Sequence, residues 1–181
     1  MEPLFRLQEP LMRELTLRPS EEALAFTRSR KEAPATALVK SPDQVQSEAR
    51  DRVRRKGGDP ADHRQVLAES ELQLGQYRGQ TFRWLLGNDV GYAVTIVVSH
   101  EREREKGGIG LQSALMVHKD ALVSYARLFP LMVAAIDRRR MLQGSPETMR
   151  GLDDTLVGFG QYRGLKRRPC TRHRTTSGHP M

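Results

Sequence analysis

The chain has 181 residues, 38% hydrophobic and 29% charged, which suits one domain or two small ones, with a modest core and disordered flanks. No apolar run approaches the roughly 18–20 residues that span a bilayer, so no membrane partner is expected. The net charge is +8, but it is unevenly spread: residues 61–157 carry 12 basic and 12 acidic side chains, whereas 158–181 carry six basic and no acidic ones.

A basic balance invites a nucleic-acid reading, because Lys and Arg neutralise phosphates and release counterions. Here the excess belongs to the C-terminal stretch, and the foldable middle is neutral. The opening MEPLFRLQEPLMRELTL lacks the basic start and continuous apolar stretch of a secretory signal. A single cysteine, Cys170, excludes an intramolecular disulfide and suits a reducing compartment. The expectation is an intracellular protein, nuclear or cytoplasmic.

In chain order, LFRLQEPLMREL places Leu4, Leu7, Leu11 and Leu15 at helical spacing, interrupted by Pro10. EEALAFTRSR is a second weak helical piece, and APATALVKSP reads as linker. SPDQVQSEARDRVRRKGG, 41–58, has helix punctuation: Ser41 as N-cap, Pro42 at the first position, Gln44 completing a capping box, and Gly57-Gly58 as the stop. Its apolar stripe is only Val45, Ala49 and Val53, so it frays or needs a partner. A further helix is expected after Asp59 as cap and Pro60.

Leu72-Gln73-Leu74 alternates as a short strand, and Gly75 and Gly79 bracket a tight turn, giving a hairpin-like element around 72–82. Thr81 caps a short helix, FRWLL, stopped by Gly87; Asn88-Asp89 caps the next. VGYAVTIVVSHEREREK is ambiguous, since Val94 to Val98 favour a strand. Its length, its Asp89 cap and its charged end favour a helix over 89–106. GGIGLQSA, 107–114, is loop. In 115–142, Leu122, Tyr125, Ala126 and Phe129 mark one buried face. Pro130 then begins another helix, with Leu131, Ala134, Ala135 and Ile136 inward and Arg138 to Arg140 near its C-terminus, opposing the dipole.

The fold class expected is mainly α with a short β element, a small α+β module with disordered flanks. It divides into a partly helical or disordered N-terminal segment, 1–58; a helical module, 59–142; a linker, 143–157; and 158–181. The pentapeptide GQYRG at 75–79 recurs at 160–164, about 85 residues later, which suggests a tandem module. The second copy runs into KRRPCTRHRTTSGHPM, which has too few apolar residues to bury a face. It reads as a truncated repeat start and disordered basic tail, from a longer protein.

Leu74 to Phe82, followed by Asn88-Asp89 and Gly91-Tyr92, resembles the small C-terminal accessory domain of DEDD-type exonucleases of the exodeoxyribonuclease X kind, with pattern FGKYKGKTF…DPGYLxWL. Gln76 and Gln80 stand where that family often carries Lys. QYRGQTFRWLLGNDVGYA, SHERERE and LMVHKDALVSYARLFP also resemble blocks of uncharacterised vertebrate proteins, mostly from fish, that carry the module in tandem. The first resemblance implies a non-catalytic accessory role; the second implies no activity.

Tyr77, Arg78, Arg83 and Trp84 are the candidate nucleic-acid-binding residues, because single-strand binders set aromatic platforms beside cations. Phe82 and Tyr92 join the cluster; the favoured reading of Tyr77, Phe82, Trp84 and Tyr92 is the core of a small module, with Arg78 and Arg83 best placed for phosphate contact. HEREREK, 100–106, is not the zinc pattern H-E-x-x-H and reads as a solvated helix end. Cys170, His173 and His179 offer three ligands where structural zinc takes four. The carboxylates show no catalytic spacing, and no P-loop or G-x-S-x-G is present. No catalytic residue, metal or cofactor is expected. The leading reading is a non-catalytic binding module touching single-stranded nucleic acid; the alternative is a protein–protein scaffold module; a metal-dependent nuclease is least favoured. The oligomeric state is left open.

Overall fold

The computed structural model describes residues 2–8, 14–30, 38–107 and 113–144. The second GQYRG copy, the 145–157 part of the expected linker and the Cys170–His179 pattern lie outside them. In order, the described helices are α1 Glu21–Arg30, α2 Pro42–Arg55, α3 His63–Ala68, α4 Phe82–Asn88, α5 Val90–Lys106, α6 Ala114–Ala126 and α7 Pro130–Gly144. Helix α5 is packed by α4, α6 and α7, while α2 and α3 pack on each other and on α6. The protein is mainly helical. None of its described helices is long and apolar enough to cross a membrane.

The ambiguous 90–98 stretch is helical because the Asp89 carboxylate caps its first turn, accepting from the Tyr92 N–H at 2.9 Å. Its β-branched residues are then buried nearly all round: Val90, Val94, Ile96, Val97 and Val98 all sit in the core. Gly107, at φ 65°, ends the helix in a conformation that disfavours other residues. Thr81 caps α4, accepting from the Trp84 N–H at 3.2 Å, and α4 runs one residue past Gly87.

Several sequence expectations are corrected. The leucines of 4–15 do not line a helix among the described residues. Leu7 and Leu15 instead pair across an isolated antiparallel bridge, with Gln8 and Thr16 donating to the carbonyls of Glu14 and Arg6 at 2.8 Å. This N-terminal strap buries Leu15 and sets Phe5 edge-on to Phe129, with ring centroids 5.3 Å apart. Helix α3 starts at the Asp62 cap, three residues after Asp59, because Asp62 Oδ1 accepts from Arg64 N–H at 2.9 Å while Asp59 closes the preceding turn onto Ala61. In α7 the residues turned fully inward are Met132 and Ile136. Ala134 is exposed, and Arg138 to Arg140 lie before the last turn because the helix continues to Gly144.

The expected β element is reduced. No strand forms among the described residues; Glu71 and Thr81 make one isolated antiparallel bridge. The narrow stripe of α2 does find a partner: Ala49 and Val53 pack on Val66 of α3 in a satellite cluster. The compact unit extends over Met1–Gly144, and the main core draws on Leu15 and Ala23. The strap and α1 are therefore part of the packed structure.

Candidate functional site

The GQYRG loop is built around two glycines and one carboxylate. Leu72 and Gly79 clasp its base, with Gly79 N–H donating to Leu72 O and Leu72 N–H to Gln80 O, both at 2.8 Å. Gly75 has φ +68°, and a Cβ there would fall 1.8 Å from the Tyr92 hydroxyl oxygen. Only glycine satisfies both demands. Gly79, at φ +91°, needs the conformation but has open space around it.

Tyr77 turns into the core from this loop and is 1% exposed. Its hydroxyl donates to Asp89 Oδ2 at 2.8 Å, while the other oxygen of Asp89 caps α5. Burial pushes the Tyr77 phenol well above its ordinary value, and the Asp89 carboxylate adds to the shift. Burial raises Tyr92 as well. The two rings meet edge to face, 5.1 Å apart at 90°. The downstream Asp-x-x-Tyr thus has a physical meaning: Asp89 and Tyr92 are the receptacle into which the loop locks.

Trp84 packs on Tyr77 at 5.3 Å and on Phe26 of α1 at 5.7 Å, and its indole N–H donates to Glu22 at 2.6 Å. Arg78 donates to the Leu38 carbonyl, and its own carbonyl accepts from Arg30. Arg83 lies 3.4 Å from Glu69, which is completely buried and also takes a 2.6 Å ion pair from Lys56. The structure therefore brings Tyr77 and Trp84 together with Tyr92 and Phe26. It turns Arg83 away to a separate partner and spends Arg78 on backbone. Phe82 is buried in the core with Tyr125, ring centroids 6.3 Å apart.

The HEREREK segment is not simply a solvated helix end. His100 is 1% exposed and bonds Asp120 of α6 through Nε2 at 2.6 Å. Arg104 pairs with the same carboxylate, Glu103 with Lys119, and Glu101 with both Arg127 and Arg140. Burial works to raise Asp120, but Arg104 and His100 outweigh it and hold the carboxyl below its ordinary value. Alternating charges looked solvated in the sequence. The missing signal was the register of α6 and α7, which sets an opposite charge against each of these residues. Glu69 had no signal at all, since nothing local marks a glutamate for complete burial.

No group of three or more His, Cys, Asp or Glu side chains among the described residues is arranged to hold a metal ion. No family model, curated protein or solved structure matches the chain.

Proposed function

We propose that the protein is a non-catalytic binding module that works through contact with another protein. One observation carries this reading: Tyr77, the aromatic ring of the GQYRG loop itself, is 1% exposed, and Trp84, Tyr92 and Phe26 are half-buried against the core. A base stacks on an accessible ring face, and the Tyr77 ring is enclosed, its hydroxyl on Asp89 and its ring against Trp84 and Tyr92. The carboxylates support the same reading. Asp89 caps α5, Glu101 holds two arginines of α6–α7 and its connection, and Asp120 holds His100 and Arg104. Each has a structural partner, and they serve different junctions of the helices.

Under this proposal the likeness to exonuclease accessory domains and to the fish tandem proteins is one of module type: a GQYRG loop locked by a downstream Asp-x-x-Tyr, with the Glu71–Thr81 bridge as its reduced β element. Its single cysteine suits a reducing compartment, and nucleus or cytoplasm is the location proposed with this reading. A second reading, nucleic-acid contact, is favoured by the basic residues of 158–181, which include Lys166, Arg167 and Arg168.

Binding of a labelled single-stranded oligonucleotide to the full chain and to residues 1–144, at low and moderate salt, separates the two. The protein-contact reading expects no binding by 1–144, and any binding by the full chain to vanish at moderate salt. Binding by 1–144 that falls on Arg78→Ala with Arg83→Ala overturns it.

A further inference from the structure

An apolar groove of about 500 Å³ lies between the N-terminal strap and α7. Leu15 and Leu17 wall one side, Ala135 and Leu142 the other, and Gly91 and Val94 of α5 form the floor. Leu17 and Leu142 are 51% and 54% exposed. The small residues keep the floor low: a Cβ on Gly91 would strike the Leu17 carbonyl at 2.3 Å, so the strap lies directly on α5 there.

The charge on the rim is lopsided. Arg138 is neutralised by Glu14 across the mouth at 2.7 Å. Arg139 has no acidic partner among the described residues, and its Nε is shut off from solvent without an acceptor. An arginine beside apolar walls with its charge unmatched is suited to a carboxylate brought from outside. The run of α7 along the groove, from Leu131 to Leu142, measures about 16 Å at 1.5 Å per residue, roughly three helical turns. That length fits a short helix presenting apolar side chains at i, i+3, i+4 and i+7.

We propose that this groove docks the apolar face of an acidic amphipathic helix of a protein partner, with one of its carboxylates seated on Arg139. The inference rests on the protein-contact reading above and names the surface and the partner chemistry. Nucleic acid is a poor occupant, because the walls are largely aliphatic and, among the described lining residues, Arg139 is the cation without an acidic partner.

The test uses the full chain and two labelled helical peptides read by fluorescence anisotropy. Both peptides carry leucine at helical spacing on one face; one carries Glu on the other face and the second Lys. The acidic peptide binds and the basic one does not. Arg139→Glu weakens the acidic peptide by about ten-fold or more, since like charges at an interface cost several kcal/mol, and admits the basic one. Ala135→Trp, checked for folding by its urea midpoint, fills the groove and abolishes binding. Arg54→Glu, an equal charge change on exposed α2, leaves binding unchanged and so controls for attraction to the basic C-terminal stretch. The proposal is overturned if the acidic peptide does not bind, if Arg139→Glu and Arg54→Glu act alike, or if folded Ala135→Trp still binds. Sedimentation showing self-association lost on Ala135→Trp overturns it too, making the occupant a second copy. If 1–144 binds the oligonucleotide described above, the protein-contact reading falls as well; if it binds neither probe, only the groove assignment fails.

Discussion

Replacing Gly75 by alanine tests the lock between the GQYRG loop and α5. Two costs combine. A non-glycine residue at φ +68° sits in the left-handed region, at about 1–2 kcal/mol. The new Cβ would also lie 1.8 Å from the Tyr92 hydroxyl and 3.1 Å from its Cζ, so the ring has to move. Moving it disturbs the edge-to-face contact with Tyr77, a class of contact worth about 0.5–1.5 kcal/mol. The expected loss is about 2–4 kcal/mol, or a drop of about 1–2 M in urea midpoint at a slope of about 2 kcal/mol per M. Gly79→Ala provides the contrast. Its φ is +91° but nothing lies within 4 Å of the added Cβ, so only the backbone cost of about 1–2 kcal/mol applies. Tyr92→Phe removes the atom in collision and should recover about 1 kcal/mol, in a double-mutant cycle with Gly75→Ala. Equal midpoint shifts for the two glycine substitutions would refute this reasoning, as would a Tyr92→Phe effect identical with and without Gly75→Ala.

Tyr77→Phe should cost about 1–3 kcal/mol, because the buried Asp89 loses its hydroxyl donor; an unchanged urea midpoint would contradict the lock. Glu69→Ala should cost about 1–3 kcal/mol, because the buried carboxylate's charge-assisted bond from Lys56 is lost, while Lys56 and Arg83 are part-exposed and regain water. The same substitution should not lower peptide affinity in the folded protein, because Glu69 does not line the groove. The pH dependence has two limbs, read as urea midpoints from about pH 8 down to about pH 3. Burial holds the His118 imidazole below its ordinary value, so the unfolded chain takes the proton first. Stability then falls as pH drops from the unfolded imidazole value towards the folded one, and His118→Gln should flatten that limb. The depressed Asp120 carboxyl stabilises the fold above its unfolded value; this contribution is lost as pH falls through its folded one. Asp120→Asn should therefore lower stability near neutrality and flatten the acid limb.

Local punctuation was legible in the sequence because it acts over a few residues. Ser41, Thr81 and Asp89 each accept from the backbone N–H three residues on, and each starts the helix expected of it. The long α5 was legible for the same reason, its cap deciding between two plausible periodicities. The Leu4–Leu15 pattern misled because leucines at helical spacing are also compatible with the antiparallel pairing that Leu7 and Leu15 adopt. The candidate site was legible as a cluster but not in its orientation. Tyr77, Trp84 and Tyr92 do come together. Whether an aromatic cluster faces solvent or core depends on distant segments, here on α1 supplying Phe26 and Glu22 to cover Trp84. No spacing within 72–92 encodes that cover.

The same distinction bears on why the pentapeptide occurs twice. In the first copy the five residues are half of a device. Gly75 needs Tyr92, seventeen positions on, and Tyr77 needs Asp89, twelve positions on. At the matching distances from Gly160 and Tyr162 the sequence has Ser177 and Arg174. Serine offers no ring edge to meet a tyrosine, and arginine offers no acceptor for its hydroxyl. Identity of GQYRG therefore does not carry the lock with it. Introducing Arg174→Asp with Ser177→Tyr would restore both partners at the right spacing while leaving the pentapeptide untouched. If the lock is encoded by those spacings alone, a tyrosine probe on the second copy should become buried. If it also requires the cover supplied by α1 and the packing of α4, the substitutions should leave the probe's accessibility unchanged, and the loop will have been shown to depend on its tertiary surroundings.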